Sequence, residues 1–84
     1  MEELEILLKD LKSCIEAKEA ELVKNGNHNS TTKSTLKVRY TEIKFFEFSF
    51  DCYKLQNKLG PDIIEKMKKE HQRIKSEIEM IGLL

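Results

Sequence analysis

The chain has 84 residues, 15 of them Lys or Arg and 15 Asp or Glu, so 36% is charged and the formal net charge is zero. That balance argues against two classes: a nucleic-acid binder working by counterion release usually carries a basic excess, and a disordered solvating segment a large net charge of one sign. A single domain of this length buries only about 60% of its unfolded surface, a marginal core that small chains often supplement with a partner.

No run approaches the roughly 18 apolar residues that span a bilayer, and Glu2-Glu3-Leu4-Glu5 is acidic where a secretory signal would be basic. The expectation is an intracellular protein of the cytoplasm or nucleus without membrane contact. Cys14 and Cys52 lack C-x-x-C spacing and read as two reduced thiols. The Asn29-Ser30-Thr31 sequon has no chemical meaning without secretion.

In the first block Leu4, Leu8, Leu11, Ile15 and Leu22, with Lys18 in register, follow the 4-3 spacing of a helix seam that Leu7 and Cys14 widen. Glu2, Glu3 and Glu5 oppose the positive end of the helix dipole, and Glu5 can pair with Lys9. Asn25-Gly26 tolerates the left-handed conformation of a helix cap. From Asn27 to Ser34 there is no apolar residue, so an exposed loop is expected over 25–33.

The middle block holds all six aromatics, Tyr40, Phe45, Phe46, Phe48, Phe50 and Tyr53. As a strand, Phe46, Phe48, Phe50 and Cys52 alternate with polar residues. As a helix, Val38, Thr41, Phe45, Phe48, Cys52, Leu55 and Leu59 make one seam and Leu36, Tyr40, Ile43, Phe46, Phe50 and Tyr53 another. The two are nearly opposite, since Phe46 lies roughly 200° from Phe48. Length favours the helix: a strand from Leu36 to Leu55 far exceeds about ten residues, and Thr41-Glu42-Ile43-Lys44 contains no turn former for a hairpin. Gly60-Pro61-Asp62 then opens a last helix, with Pro at the first position and Asp in the first turn. Ile64, Met67, His71, Ile74, Ile78 and Ile81 repeat the 4-3 spacing, with Arg73–Glu77 and Lys75–Glu79 as outer pairs.

The fold class that follows is all-α, an antiparallel three-helix bundle or helical hairpin with coiled-coil-like seams, helices spanning about 2–24, 34–59 and 61–82 of one domain. The alternative is αββα, with a small sheet formed by 35–55.

Split by block, the charge becomes net −3 over residues 1–24 (seven acids, four bases), net +3 over 25–60 (three acids, six bases) and zero over 61–84 (five of each). The first two blocks should therefore attract when folded back on each other. Lys33, Lys37, Arg39 and Lys44 form the candidate phosphate contact, with a solvated face complementing the first helix as the plainer account. Lys18 and His71 interrupt apolar seams, either as partly exposed positions or as residues that fix register.

The chemistry-bearing residues do not assemble into a site. His28 and His71 lie far apart, no H-x-x-H, C-x-x-C or E-x-x-H spacing supplies metal ligands, and Ser30 or Ser34 near His28 is loop polarity. No Gly-rich phosphate loop exists. The expectation is a protein with no catalytic residue, no cofactor and no metal. The middle helix gives two readings: each seam packs on one flanking helix, or its aromatic face, Tyr40, Ile43, Phe46, Phe50 and Tyr53, docks a protein partner or a second copy.

In this layout the chain resembles the small coiled-coil subunits of multiprotein assemblies, such as spindle–kinetochore complexes or helical cytoskeletal chaperones. Tyr40-Thr41-Glu42-Ile43-Lys44, following a helix and a linker, is similar to the Tyr-Asn-Glu-Ile-Arg/Lys-Asp segment of the small Swi-five-type recombination mediators, helical subunits that support a recombinase together with a partner protein. Here the second position is Thr41, Phe45 replaces the closing acidic residue, and the chain continues where that family ends. The first resemblance implies an interaction subunit of a multiprotein complex. The second implies an accessory subunit in DNA recombination or repair; the 33–44 basic cluster is where such a protein would contact DNA, and the zero net charge ranks nucleic acid below a protein partner or self-association.

Overall fold

The computed structural model describes residues 2–27 and 29–83, with Glu2 described in its backbone alone. His28, weighed above as a ligand or base, and Leu84 lie outside the described residues. Three helices follow in order, α1 (Glu2–Lys24), α2 (Ser30–Leu55) and α3 (Pro61–Met80), and among the described residues there is no strand. The all-α fold class is the one adopted, and the αββα alternative is not: the aromatic run stays helical without interruption.

The ends of the helices are set by local chemistry. Gly26 takes a φ of 71° after α1, and the Asn27 N–H donates back to the Leu22 carbonyl at 2.8 Å, closing a left-handed cap. The connection beyond it is shorter than expected. Asn29 is the N-cap of α2, its side chain accepting from the Thr32 N–H at 2.8 Å, so helix begins at Ser30 and not at 34. Absence of apolar residues marks a loop only where no capping side chain starts a helix, and Asn29 starts one. At the other end α2 stops at Leu55, short of 59. Asn57 enters the left-handed region at φ 56°, and the Lys58 N–H bonds the Tyr53 carbonyl at 2.9 Å. Asparagine tolerates that conformation, so the reversal occurs before Gly60-Pro61, where the sequence places it. Pro61 opens α3 at its first position, with Asp62 in the first turn, as the sequence predicts.

The three helices pack side by side into a rod of 45 × 17 × 16 Å. Glu5 lies by Lys54, Lys12 by Glu47 and Glu19 by Tyr40, so α2 runs antiparallel to α1. Glu3 lies by Lys68, Asp10 by His71 and Lys18 by Glu79, so α3 runs parallel to α1. The apolar seams of α1 and α3 are the ones read from the sequence: Leu4, Leu11, Ile15, Ile74 and Ile78 are fully buried, each contributing about 1.5–3 kcal/mol relative to exposure. The two polar seam positions join α1 to α3. Lys18 donates to the Glu79 carbonyl at 3.2 Å, and buried His71 meets the Asp10 carboxylate at 2.7 Å, where Lys75 also binds at 3.1 Å. Among the described residues no helix is long and apolar enough to cross a membrane.

The charge expectation is met only in part. Two acids of α1 pair with α3, Glu3 with Lys68 and Asp10 with Lys75, while among the described residues the ion pairs between α1 and α2 are Lys54–Glu5 at 3.9 Å and Lys12–Glu47 at 3.1 Å, which run in opposite senses. Block totals miss this because an ion pair is set by helix phase and not by segment sum.

Candidate interaction surface

Of the two seams on α2, the bundle covers one. Leu36, Ile43, Phe46 and Phe50 are buried, the last three at 3% exposure, and Tyr40 and Tyr53 pack against them half-buried. This corrects the expected partner face: Tyr40, Ile43, Phe46, Phe50 and Tyr53 contribute to the chain's own core. They win that position because all six members of their seam are apolar or aromatic, whereas Thr41 and Cys52 dilute the opposite one.

The opposite seam is open. Val38 is 49%, Phe45 63%, Phe48 64% and Leu55 87% exposed. With Thr41 and Cys52 they repeat at 3-4-3-4-3 spacing along α2, the pattern of coiled-coil positions a and d. The ridge they form stands between two grooves. One, of 310 Å³ between α2 and α3, is lined by Glu42, Phe45, Phe46, Ser49, Tyr53 and Met67. The other, of 250 Å³ between α1 and α2, is lined by Lys12, Ile15, Tyr40, Ile43, Lys44 and Glu47. An exposed helical ridge with a groove on either side is the relief against which another helix packs.

Polar residues divide along the same line. Arg39 and Glu42 edge the covered seam and join a network with α3: Arg39 pairs with Glu77 and, at 2.7 Å, with Glu42, while Arg73 bonds Glu42 at 2.6 Å and Glu77 at 2.8 Å and also meets Glu70. Hydrogen bonds to Glu70 and Glu42 push the Arg73 guanidinium upward from its ordinary value. Arg39 is thereby withdrawn from the candidate phosphate contact. Lys33, Lys37 and Lys44 remain exposed along one side of α2, and Asp51 is exposed further along it.

Asp10, His71, Lys75 and Cys14 form a second polar cluster, between α1 and α3. The His71 hydrogen bond holds the Asp10 carboxyl below its ordinary value against the opposing effect of burial, with Lys75 adding to the depression. Burial and the Asp10 charge push the Cys14 thiol up, which suppresses the reactive thiolate. Burial likewise raises the Tyr40 phenol, with Glu19 beside it. Among the described residues no three His, Cys, Asp or Glu side chains come together as a metal-ligand set.

The sequence identifies both seams of α2, and Thr41 and Cys52 are the one local difference that marks which is covered. Pairings between residues more than thirty positions apart, Arg39 with Glu77 and Glu42 with Arg73, reinforce that choice. Fold and surface together define a three-helix bundle, α2 antiparallel to its neighbours, with an open coiled-coil seam. No family model, curated protein or solved structure matches the chain.

Proposed function

We propose that the chain is a non-enzymatic protein–protein interaction subunit of an assembly in the cytoplasm or nucleus, docking a partner helix on the outer seam of α2. One observation carries this reading: Phe45 and Phe48 are about two-thirds exposed on a heptad-spaced ridge that Val38 and Leu55 extend to either side. Single exposed apolar residues are ordinary, whereas four in one helical register are a surface that association would bury. The two flanking grooves support a helix as the docking element, because helices pack by setting ridges into grooves.

The test is site-specific photo-cross-linking in cells that make the protein. A benzoyl-phenylalanine placed at Phe48 is expected to give one or a few discrete protein adducts, and the same group at Gln72, exposed on α3, none. Equal adduct patterns at the two positions, or none at Phe48, would overturn the reading.

A further inference from the structure

Resting on that reading of the outer seam, we propose that its occupant is a second copy of this chain, packed antiparallel along α2 about a two-fold axis that passes between Phe45 and Phe48. The seam is self-complementary in this direction. Aligning the two copies about that axis sets Val38 opposite the partner's Leu55, Thr41 opposite the partner's Cys52 and Phe45 opposite the partner's Phe48. Each pairing occurs twice, giving six layers with four aromatic rings at the centre and aliphatic residues at both ends. The aromatic pairs carry the offset and edge-to-face contacts that such rings favour.

Charge selects the antiparallel direction. In an antiparallel pair the residues just before each a position face one another, so Lys44 meets the partner's Asp51 and, by symmetry, Asp51 meets the partner's Lys44. Both residues are exposed in the single chain. On the other edge Glu42 faces the partner's Ser49, with no like charges opposed; Lys37, on the Lys44 edge, falls at the end of the overlap, its counterpart position 58 lying beyond the end of α2. A parallel pair would instead stack Cys52 on the partner's Cys52 and set Lys44 against the partner's neutral Ser49. Its one charged contact, Lys37 with the partner's Glu42, would compete with Arg39 and Arg73, which already hold Glu42 within the chain.

The area suits a reversible dimer. The overlap from Val38 to Leu55 is about 27 Å long at 1.5 Å per residue. At the usual side-chain areas, the exposed apolar groups of both copies would bury on the order of 1,000 Å², the lower edge of specific interfaces. Dissociation in roughly the micromolar range is expected for contacts of that size.

Sedimentation equilibrium over dilution reads the proposal directly. The mass should rise from 9.9 kDa in dilute solution to twice that value on concentration. Phe48→Gln should hold the chain monomeric with its helical circular dichroism intact. Lys44→Asp should weaken the dimer tenfold or more, and adding Asp51→Lys should restore it. In a Cys14→Ser background a short bifunctional maleimide should join copies of Thr41→Cys through position 41 and the partner's Cys52. Without Thr41→Cys it should not, because the two Cys52 thiols lie about 16 Å apart along an antiparallel pair. Cross-linking through Cys52 alone, or failure of the double charge reversal to restore the dimer, would overturn the antiparallel arrangement. A 9.9 kDa mass at every concentration would overturn the second copy as occupant. Photo-adducts at Phe48 of some other mass would then leave the docking reading standing, and their absence as well would remove both.

Discussion

The two faces of α2 are built from the same materials. Each carries large apolar residues at heptad spacing, and each contains phenylalanines, yet Phe46 and Phe50 are 3% exposed while Phe45 and Phe48 are 63% and 64% exposed. What separates them is the company they keep. From Leu36 to Tyr53 the covered seam is aliphatic or aromatic, with buried Thr32 one turn ahead of it, and it is edged by Arg39 and Glu42, which find Glu77 and Arg73 across the interface with α3. The open seam contains Thr41 and Cys52 and is edged by Lys44 and Asp51, both exposed, which form no ion pair with α1 or α3 among the described residues. A doubly apolar helix thus settles its phase through the residues beside its seams as much as through the seams themselves, and the unchosen face is left exposed.

If that division holds, changes on the covered face act on the fold and leave association alone, and changes on the open face do the reverse. The largest expected effect is Phe50→Ala, which removes a buried ring and leaves a cavity in the core; urea denaturation should show a loss of about 3–5 kcal/mol. Against a total of about 5–15 kcal/mol for native domains, that change brings the chain near unfolding. Phe48→Ala should not approach this figure in dilute solution. A loss of 3 kcal/mol or more from that variant would abolish the contrast between the faces.

Gly82→Ala comes next. The residue closes α3 at φ 82°, and a Cβ there would lie 2.7 Å from Leu22 Cδ2, so both backbone strain and a clash with α1 oppose the substitution. A destabilisation of about 1–2 kcal/mol is expected, with the dissociation constant of any α2-mediated dimer unchanged, because the site is remote from Val38–Leu55. An equal shift in both quantities would show that the bundle and the open seam are coupled.

Asp10→Asn should cost about 1 kcal/mol at pH 7 by weakening the links to His71 and Lys75. Its pH dependence follows from the depressed carboxyl: a group whose pKa is lower folded than unfolded stabilises above the unfolded value, here 3.8, and loses that contribution as pH falls through the folded value. Wild type and variant should therefore differ at neutral pH and converge below pH 3.8, as followed by urea midpoints. A gap that persists undiminished in acid would assign the effect to packing instead of charge.

How much of this was legible beforehand depends on the range of the interaction. The seams of α1 and α3 could be read directly, because Leu4 to Leu22 and Ile64 to Ile81 each present one apolar stripe and admit one inward phase. The fold class follows from those stripes and from the turn chemistry at Gly26 and Pro61. The start of α2 was hidden because its first turn, Ser30 to Lys33, is wholly polar and is declared only by the Asn29 cap. Its end was hidden because an Asn, a less common choice than Gly, takes the left-handed position at residue 57. Which seam of α2 turns inward was hidden because both satisfy the same periodicity, and the pairs that accompany the choice, Arg39–Glu77 and Glu42–Arg73, exist only once α3 has folded back.

The smallest expected effect is also the most discriminating. Phe48→Gln replaces a ring that is 64% exposed on the open face with a polar side chain of good helix propensity. In dilute solution its stability should lie within about 0.5 kcal/mol of wild type. At concentrations where wild type associates, the two should diverge: mass action raises the wild-type urea midpoint with chain concentration, while the variant's stays fixed. Two denaturation curves per protein, one dilute and one concentrated, supply the comparison. If the variant's midpoint also rose with concentration, association would run through some other surface, and Ile6 on α1, 64% exposed, would be the next position to change.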